Sequence, residues 1–163
     1  MSRGGGFEIE NLDKWLAWLN TLQGSEVEQM KSRILRTLGL RVLEYADDLA
    51  PRRTGRLQNS LTMGGTDNVF SLQIGEVSFV VVGTNVEYAA AVEEGFRQRA
   101  GRFIPGFWSS GTFHYDPGAK KGMVLTGKVI EGAHMFRKAL EYVKDDTAQV
   151  VLFEFRRLYA ALF

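Results

Sequence analysis

A regular spacing of apolar side chains in residues 25–50 constrains the fold more than any other feature of the sequence. The apolar positions recur in steps of three and four, at Val27, Met30, Ile34, Leu38, Val42, Tyr45 and Leu49. This is the period of one face of an α-helix. Ser25 and Glu28 fit a capping box at its start, and Pro51 ends it, because the residue before a proline avoids helical geometry. The sequence therefore predicts a long helix over residues 25–50.

Three other segments also have helical character. Apolar residues recur along residues 133–162 and predict a second long helix at the end of the chain. Residues 87–94 predict a short helix ended by Gly95. Near the start, a short strand is expected at residues 7–10. A helix should follow it, with a stripe made of Leu12, Trp15, Leu16, Leu19 and Leu22.

Alternating side chains between the helices predict a β-hairpin. Residues 69–75 and 77–83 form its two strands, with a tight turn at Gly75 and Glu76. Val80 and Val82 add apolar side chains to the second face of the second strand, so burial on both faces is expected. The predicted fold class is α+β: an antiparallel sheet packed by a long helix and a C-terminal helix, in one domain over residues 1–163.

Residues 96–130 form a long segment without a clean period, which predicts an aromatic loop insertion. A loop this long is usually functional, and rings without partners would lie in water. We therefore expect a subunit or partner interface at its aromatic residues, which are Phe96, Phe103, Phe107, Trp108, Phe113 and Tyr115.

Basic residues form two groups in the sequence. The first is Arg52, Arg53 and Arg56, with no acid in residues 51–62. These arginines either face DNA phosphates or a partner, or they pair with acids such as Asp47 and Asp48. The second group lies among the aromatic residues and consists of Arg97, Arg99, Arg102, Lys120, Lys121 and Lys128. Mixed cations and rings can stack on single-stranded nucleic acid, but we favour docking on a neighbouring subunit.

Composition excludes several kinds of site. The chain has no cysteine, so disulfides and thiolate metal sites are excluded. The spacing of His114, Asp116, Glu131 and His134 matches no zinc motif, so structural histidines are expected here. Ser109 and Ser110 lie in no nucleophile motif. We predict no catalytic residue, metal or cofactor, and no membrane span, because no apolar run approaches about 20 residues.

Several segments, taken in order, resemble a family of phage proteins. They are residues 7–13 (FEIENLD), 49–57 (LAPRRTGRL), 82–89 (VGTNVEYA) followed by 92–95 (VEEG), and 131–136 (EGAHMF). Together they are similar to the tail-completion, or head–tail joining, proteins of long-tailed bacteriophages. The likeness extends over nearly the whole chain, whereas residues 96–130 depart from the short family pattern.

The resemblance implies a structural role and not an enzymatic one. The expected function is a ring subunit of the phage neck, which completes the tail and joins it to the head connector. The expected partners are further copies of the chain in a hexamer or dodecamer, a tail terminator or tail tube protein, and a head-completion or connector protein. The expected location is the virion, after synthesis in the host cytoplasm. Phage DNA, contacted without sequence specificity, is a further candidate partner. The alternative function is a nucleic-acid-binding module that uses the basic segments.

Overall fold

A computed structural model describes residues 24–52 and 55–162. The predicted strand at residues 7–10 and the helix with Trp15 lie outside the described residues. The described helices are α1 (Ser25–Leu49), α2 (Arg56–Leu61), α3 (Ala89–Glu94) and α4 (Met135–Leu162). The described strands are β1 (Asn68–Gln73), β2 (Phe79–Thr84), β3 (Gly95–Arg97), β4 (Phe103–Ser109), β5 (Thr112–Tyr115), β6 (Gly122–Val124) and β7 (Val129–Glu131). The α+β prediction is confirmed.

The chain forms two compact units. The helical unit combines the described residues up to Ala89 with the described residues from His134 onward, and the strand unit is Ala90–Ala133. The expectation that all 163 residues act as one domain stays a prediction. No described helix combines the length and the apolar character that crossing a bilayer requires.

Helix α1 forms the centre of the helical unit. Five of the seven residues of its predicted apolar stripe are buried, together with Leu35, Leu43 and Ala46. Tyr45 and Leu49 are half-buried, and Leu40 is exposed. Its C-terminus falls at Leu49, directly before Ala50 and Pro51, as predicted. The capping-box prediction is wrong: Gly24 is the capping residue and makes no side-chain cap bond, because Ser25 already lies inside the first turn.

Helix α4 packs along α1 in antiparallel orientation. Arg33 Nε donates to Glu154 Oε2 at 2.6 Å, and Tyr45 Oη donates to Asp146 Oδ2 at 2.7 Å. Between these links, Arg41 approaches the same Asp146 oxygen at 2.7 Å. The C-terminal end of α1 therefore lies beside the N-terminal part of α4. Beside this polar edge lies an apolar core, whose buried side chains include Met30, Ile34, Met135, Ala139 and Val143.

The β1–β2 hairpin packs against α1. Its antiparallel register runs from the pair Asn68 and Thr84 to the pair Gln73 and Phe79. A Cβ on Gly39 of α1 would lie 2.9 Å from Val80 Cγ2 and 3.0 Å from the Phe70 ring, so glycine permits the close approach. The predicted two-residue turn is wrong. Five residues connect the strands, and the Ser78 hydroxyl bonds both the N–H and the carbonyl of Gly75.

Candidate protein-interaction surfaces

Residues 103–124 fold into a three-stranded antiparallel sheet in the order β5-β4-β6. The connection of β4 to β5 is a two-residue turn in which Ser110 has a φ of 50° and Gly111 a φ of 77°. Two successive residues with positive φ define a type I′ turn, whose backbone twist matches that of the two flanking strands. The expectation of an irregular loop over residues 96–130 is therefore wrong. The Ser-Gly pair between two aromatic stretches was the signal that could have indicated the hairpin.

Two glycines let the strands and rings of this sheet approach closely. A Cβ on Gly106 would lie 2.6 Å from Phe113 Cζ and nearer still to the backbone carbonyl of His114. A Cβ on Gly122 would lie 2.8 Å from Phe103 Cζ and nearer to the carbonyl of Ile104. The Phe103 and Phe113 rings thus lie over glycine backbone. These glycines break the alternation of side chains that would have revealed the strands in the sequence.

Aromatic side chains lie on both faces of this sheet. Phe107 and His114 are cross-strand partners and stack with ring centres 5.4 Å apart. The next pair, Trp108 and Phe113, must face the opposite side, and its rings meet edge to face, also at 5.4 Å. Trp108 is 62% exposed and Tyr115 is 67% exposed, and Phe103 and Phe107 are about half exposed. Rings this open on both faces are typical of a surface that other proteins cover.

Phe96 belongs to a separate pair of strands in the same unit. It lies in β3 opposite Ile130 of β7. The Phe96 side chain is about half exposed. Val129, which pairs with Arg97 in the same two strands, is more exposed still. Of the six predicted interface aromatics, five therefore share the three-stranded sheet, and Phe96 does not.

The cations of the strand unit face water. Arg97, Arg99, Arg102, Lys120, Lys121 and Lys128 are all exposed. Within the described part of the chain, none of them forms an ion pair. Asp116 is the only acid between residues 95 and 130, and its carboxylate accepts from the Gly118 N–H at 2.9 Å in a local turn. Arg102, Lys120 and Lys121 flank the strands of the three-stranded sheet and outnumber Asp116, so the sheet carries a net positive charge beside its aromatic side chains.

The predicted basic group at residues 52–56 is not a uniform patch. Arg56 pairs with Asp67 at 3.0 Å and with Glu87 at 3.1 Å. The hydrogen bond from Arg56 to Asp67 and the charge of Glu87 raise the pKa of Arg56. The alternative that an arginine of this group pairs with acids of the same chain is thus confirmed for Arg56. The acids are Asp67 and Glu87, and not Asp47 or Asp48. Arg52 is exposed, and Arg53 lies outside the described residues.

The outer face of the β1–β2 hairpin is a surface that the sequence pattern did not predict. Val77 is 71% exposed, and Phe79 and Val81 are more than 40% exposed. The expectation that the second strand is buried on both faces is wrong. The hairpin has α1 on one side only, and its other face carries Val81 beside Ser71 and Phe79 beside Gln73. Alternation alone cannot tell a second buried face from an exposed apolar one.

The two histidines lie in different kinds of environment. His114 is exposed in β5 and stacks on Phe107. His134 directly precedes α4, and its carbonyl accepts from the Lys138 N–H at 3.0 Å, which places it at the predicted helix start. Its Nδ1 atom is buried and has no hydrogen-bond partner among the described residues. In that same part of the chain, no three His, Asp or Glu side chains are grouped as metal ligands would be.

Comparison with known proteins decides the family. The model of the family described as "Bacteriophage HK97-gp10, putative tail-component" matches residues 13–95. The chain belongs to this family of phage tail components. The resemblance to phage tail-completion proteins seen in the sequence is thereby confirmed. The match ends at Gly95, so the three-stranded aromatic sheet, which begins at Phe103, lies outside the matched residues.

Two proteins of Bacillus subtilis strain 168 are similar to this tail component. An uncharacterized protein, YqbI, is 29% identical over 144 residues, which cover 82% of this chain and 86% of that protein. The phage-like element PBSX protein XkdI is 35% identical over 89 residues, which cover 53% of this chain and 55% of that protein. The chain therefore spans little more than half the length of XkdI. No solved structure matches the chain.

Proposed function

We propose that this protein is a structural ring subunit of a phage neck, which completes the tail and joins it to the head connector. The observation that carries the proposal is the tail-component family match over residues 13–95. In this proposal the chain performs no catalysis. It is made in the host cytoplasm and is found in the finished virion.

The exposed surfaces fit a subunit that contacts several proteins at once. A closed ring needs two different patches for its neighbours and further surfaces toward the head and the tail. The three-stranded sheet and the outer face of the β1–β2 hairpin are apolar surfaces in different units of the chain. We propose that the sheet contacts neighbouring copies, in a hexamer or dodecamer. The hairpin face then contacts the tail terminator, the tail tube or the head connector.

Loss of the protein in an infected or induced host tests the proposed role. We expect DNA-filled heads and finished tails that remain separate, counted by electron microscopy of the lysate. Supplying the wild-type chain in trans should restore joined particles, and the chain should then be found in purified virions by mass spectrometry. Normal numbers of joined, infectious particles without the protein would contradict the proposal.

Surface variants test which rings take part. The double variant Trp108→Ser and Tyr115→Ser should fail to restore joined particles, because both rings are exposed on the three-stranded sheet. Phe153→Ser on α4 is the matched control, since this ring is equally exposed, at 66%, but lies in the other unit. Equal rescue by the double variant and the control would exclude the sheet from the interface.

The nucleic-acid alternative remains a prediction with its own test. Binding of the purified chain to duplex and single-stranded DNA is measured across a series of salt concentrations. Charge-driven binding should weaken steeply as salt rises. If Arg99→Gln and Arg102→Gln reduced that affinity while the chain still joined heads to tails, a DNA contact would exist beside the structural role.

A further inference from the structure

The charge of this chain is divided unevenly along its length. Residues 95–130 carry six Lys and Arg against one acid, whereas the rest of the chain carries 14 Lys and Arg against 18 Asp and Glu. The net charge of the whole chain, +1, conceals this separation. A body with one basic and one acidic part is attracted to further copies of itself when unlike parts meet, and like parts repel.

An exposed acidic surface lies on the helix pair of the helical unit. Glu44 and Asp48 are one turn apart on α1, on the side that also carries Tyr45, and both are exposed. Glu141 and Asp145 are one turn apart on α4 and are also exposed. Between the two pairs of acids, the Tyr45 and Tyr142 rings meet edge to face at 5.5 Å, and Tyr142 is 47% exposed.

The cations near this surface do not cancel its charge. Arg41 is already paired with Asp146 at 2.7 Å. Lys138 and Lys144 are exposed on neighbouring turns of α4. Arg137 is also exposed, in the first turn of α4. Together with Asp47 and Asp146, the six acids of this end of the helix pair outnumber its four cations. The surface thus combines a negative charge with a half-exposed aromatic ring, the complement of a positive sheet that has exposed rings.

We propose that the β4–β5–β6 sheet of one copy docks on the Tyr45–Tyr142 end of the α1–α4 helix pair of a second copy. This inference rests on the proposed ring-forming function and names the two halves of the ring interface. The two halves are different surfaces, so the contact is heterologous and repeats from copy to copy. Exposed rings supply the apolar contact area, and the opposite charges set orientation and speed of encounter.

Charge reversal tests the proposal with four forms of the full-length chain. The basic half is reversed by Arg102→Glu, Lys120→Glu and Lys121→Glu, which change the net charge of residues 95–130 from +5 to −1. The acidic half is reversed by Glu141→Lys and Asp145→Lys. The third form carries all five changes, and the fourth is wild type. Assembly is measured by analytical ultracentrifugation and native mass spectrometry at low and high salt. Arg36→Glu is the matched control, because Arg36 is exposed on α1 away from this end.

Each half-reversed form should assemble on the order of tenfold more weakly than wild type, or not at all. The form with all five changes should assemble again. A 1:1 mixture of the two half-reversed forms should also assemble, because every interface in an alternating ring then joins opposite charges. The mixture distinguishes contact between copies from contact within one chain, which mixing cannot restore. Equal assembly of all forms, or no recovery in the mixture, would overturn the proposal.

The failure of this inference differs from the failure of the proposed function. Head–tail joining in the host is scored separately from assembly of the purified chain. If the half-reversed forms assemble like wild type but the protein is still needed for joined particles, the neck role stands and the docking surface is wrong. If the chain is not needed for joined particles, the neck role is wrong whatever the assembly assay shows.

Discussion

The Tyr45 hydroxyl donates a 2.7 Å hydrogen bond to the carboxylate of Asp146 and so connects the two long helices. This bond, with help from Arg41, holds the pKa of Asp146 below its ordinary value. The same bond raises the pKa of Tyr45, because a phenolate beside a carboxylate is unfavourable. The link between α1 and α4 is therefore sensitive to pH in both directions.

The Tyr45–Asp146 link should contribute to stability only between acidic and strongly basic pH. The folded pKa of Asp146 lies below the unfolded one, so stability is lost as the pH falls below about 4. The folded pKa of Tyr45 lies above the unfolded one, so stability is lost as the pH rises above about 10. Tyr45→Phe should flatten both limbs of the curve of unfolding free energy against pH. Tyr142→Phe, which keeps the Tyr45–Asp146 bond, is the control and should retain both limbs.

Leucines two positions apart in α1 should respond very differently to a charge. Leu38 is 4% exposed, whereas Leu40 is 37% exposed. Leu38→Asp buries an unpaired carboxylate and should lower the free energy of unfolding by more than about 3 kcal/mol. Leu40→Asp should cost less than about 1 kcal/mol. Urea unfolding followed by circular dichroism measures both, and similar midpoints would show that the α1 stripe is assigned to the wrong face.

A side chain at position 39 should separate α1 from the hairpin. Gly39→Val places methyl groups where Val80 Cγ2 and the Phe70 ring already lie, and overpacking of this kind costs about 1–3 kcal/mol. Arg36→Val introduces the same residue at an exposed position of the same helix and is the control. If thermal unfolding shows Gly39→Val to be as stable as Arg36→Val, the close contact between α1 and β2 is wrong.

The glycines of the three-stranded sheet should differ in their tolerance of a side chain. Gly106→Ala should disrupt the pairing of β4 with β5, because the added Cβ overlaps the His114 carbonyl and the Phe113 ring. Gly111→Asn should be accepted, since Gly111 has open space around it and asparagine tolerates its positive φ. Amide exchange of residues 103–115 reports the result. Unchanged protection in Gly106→Ala would contradict the register of the hairpin.

The two long helices of the helical unit could be predicted from the sequence because their stripes are long and regular. The C-terminal end of α1 followed from Pro51, and α4 begins within two residues of the expected position. The strand unit could not be predicted in the same way. Its strands are short, and Gly106 and Gly122 stand where a regular pattern would have a side chain. Arg56 illustrates a further limit: its partners are 11 and 31 residues away, and only the fold brings them together.

Val77, Phe79 and Val81 leave an apolar strip on the open side of the hairpin, and the strand unit adds a second uncovered surface. Exposed apolar surfaces of this kind associate with one another when free subunits are more numerous than the partner sites that can cover them. If the chain assembles as proposed, the solubility of the free subunit depends on how quickly it is taken into an assembly. Overproduction without its partners should favour aggregates, whereas co-production with them should keep the chain in solution.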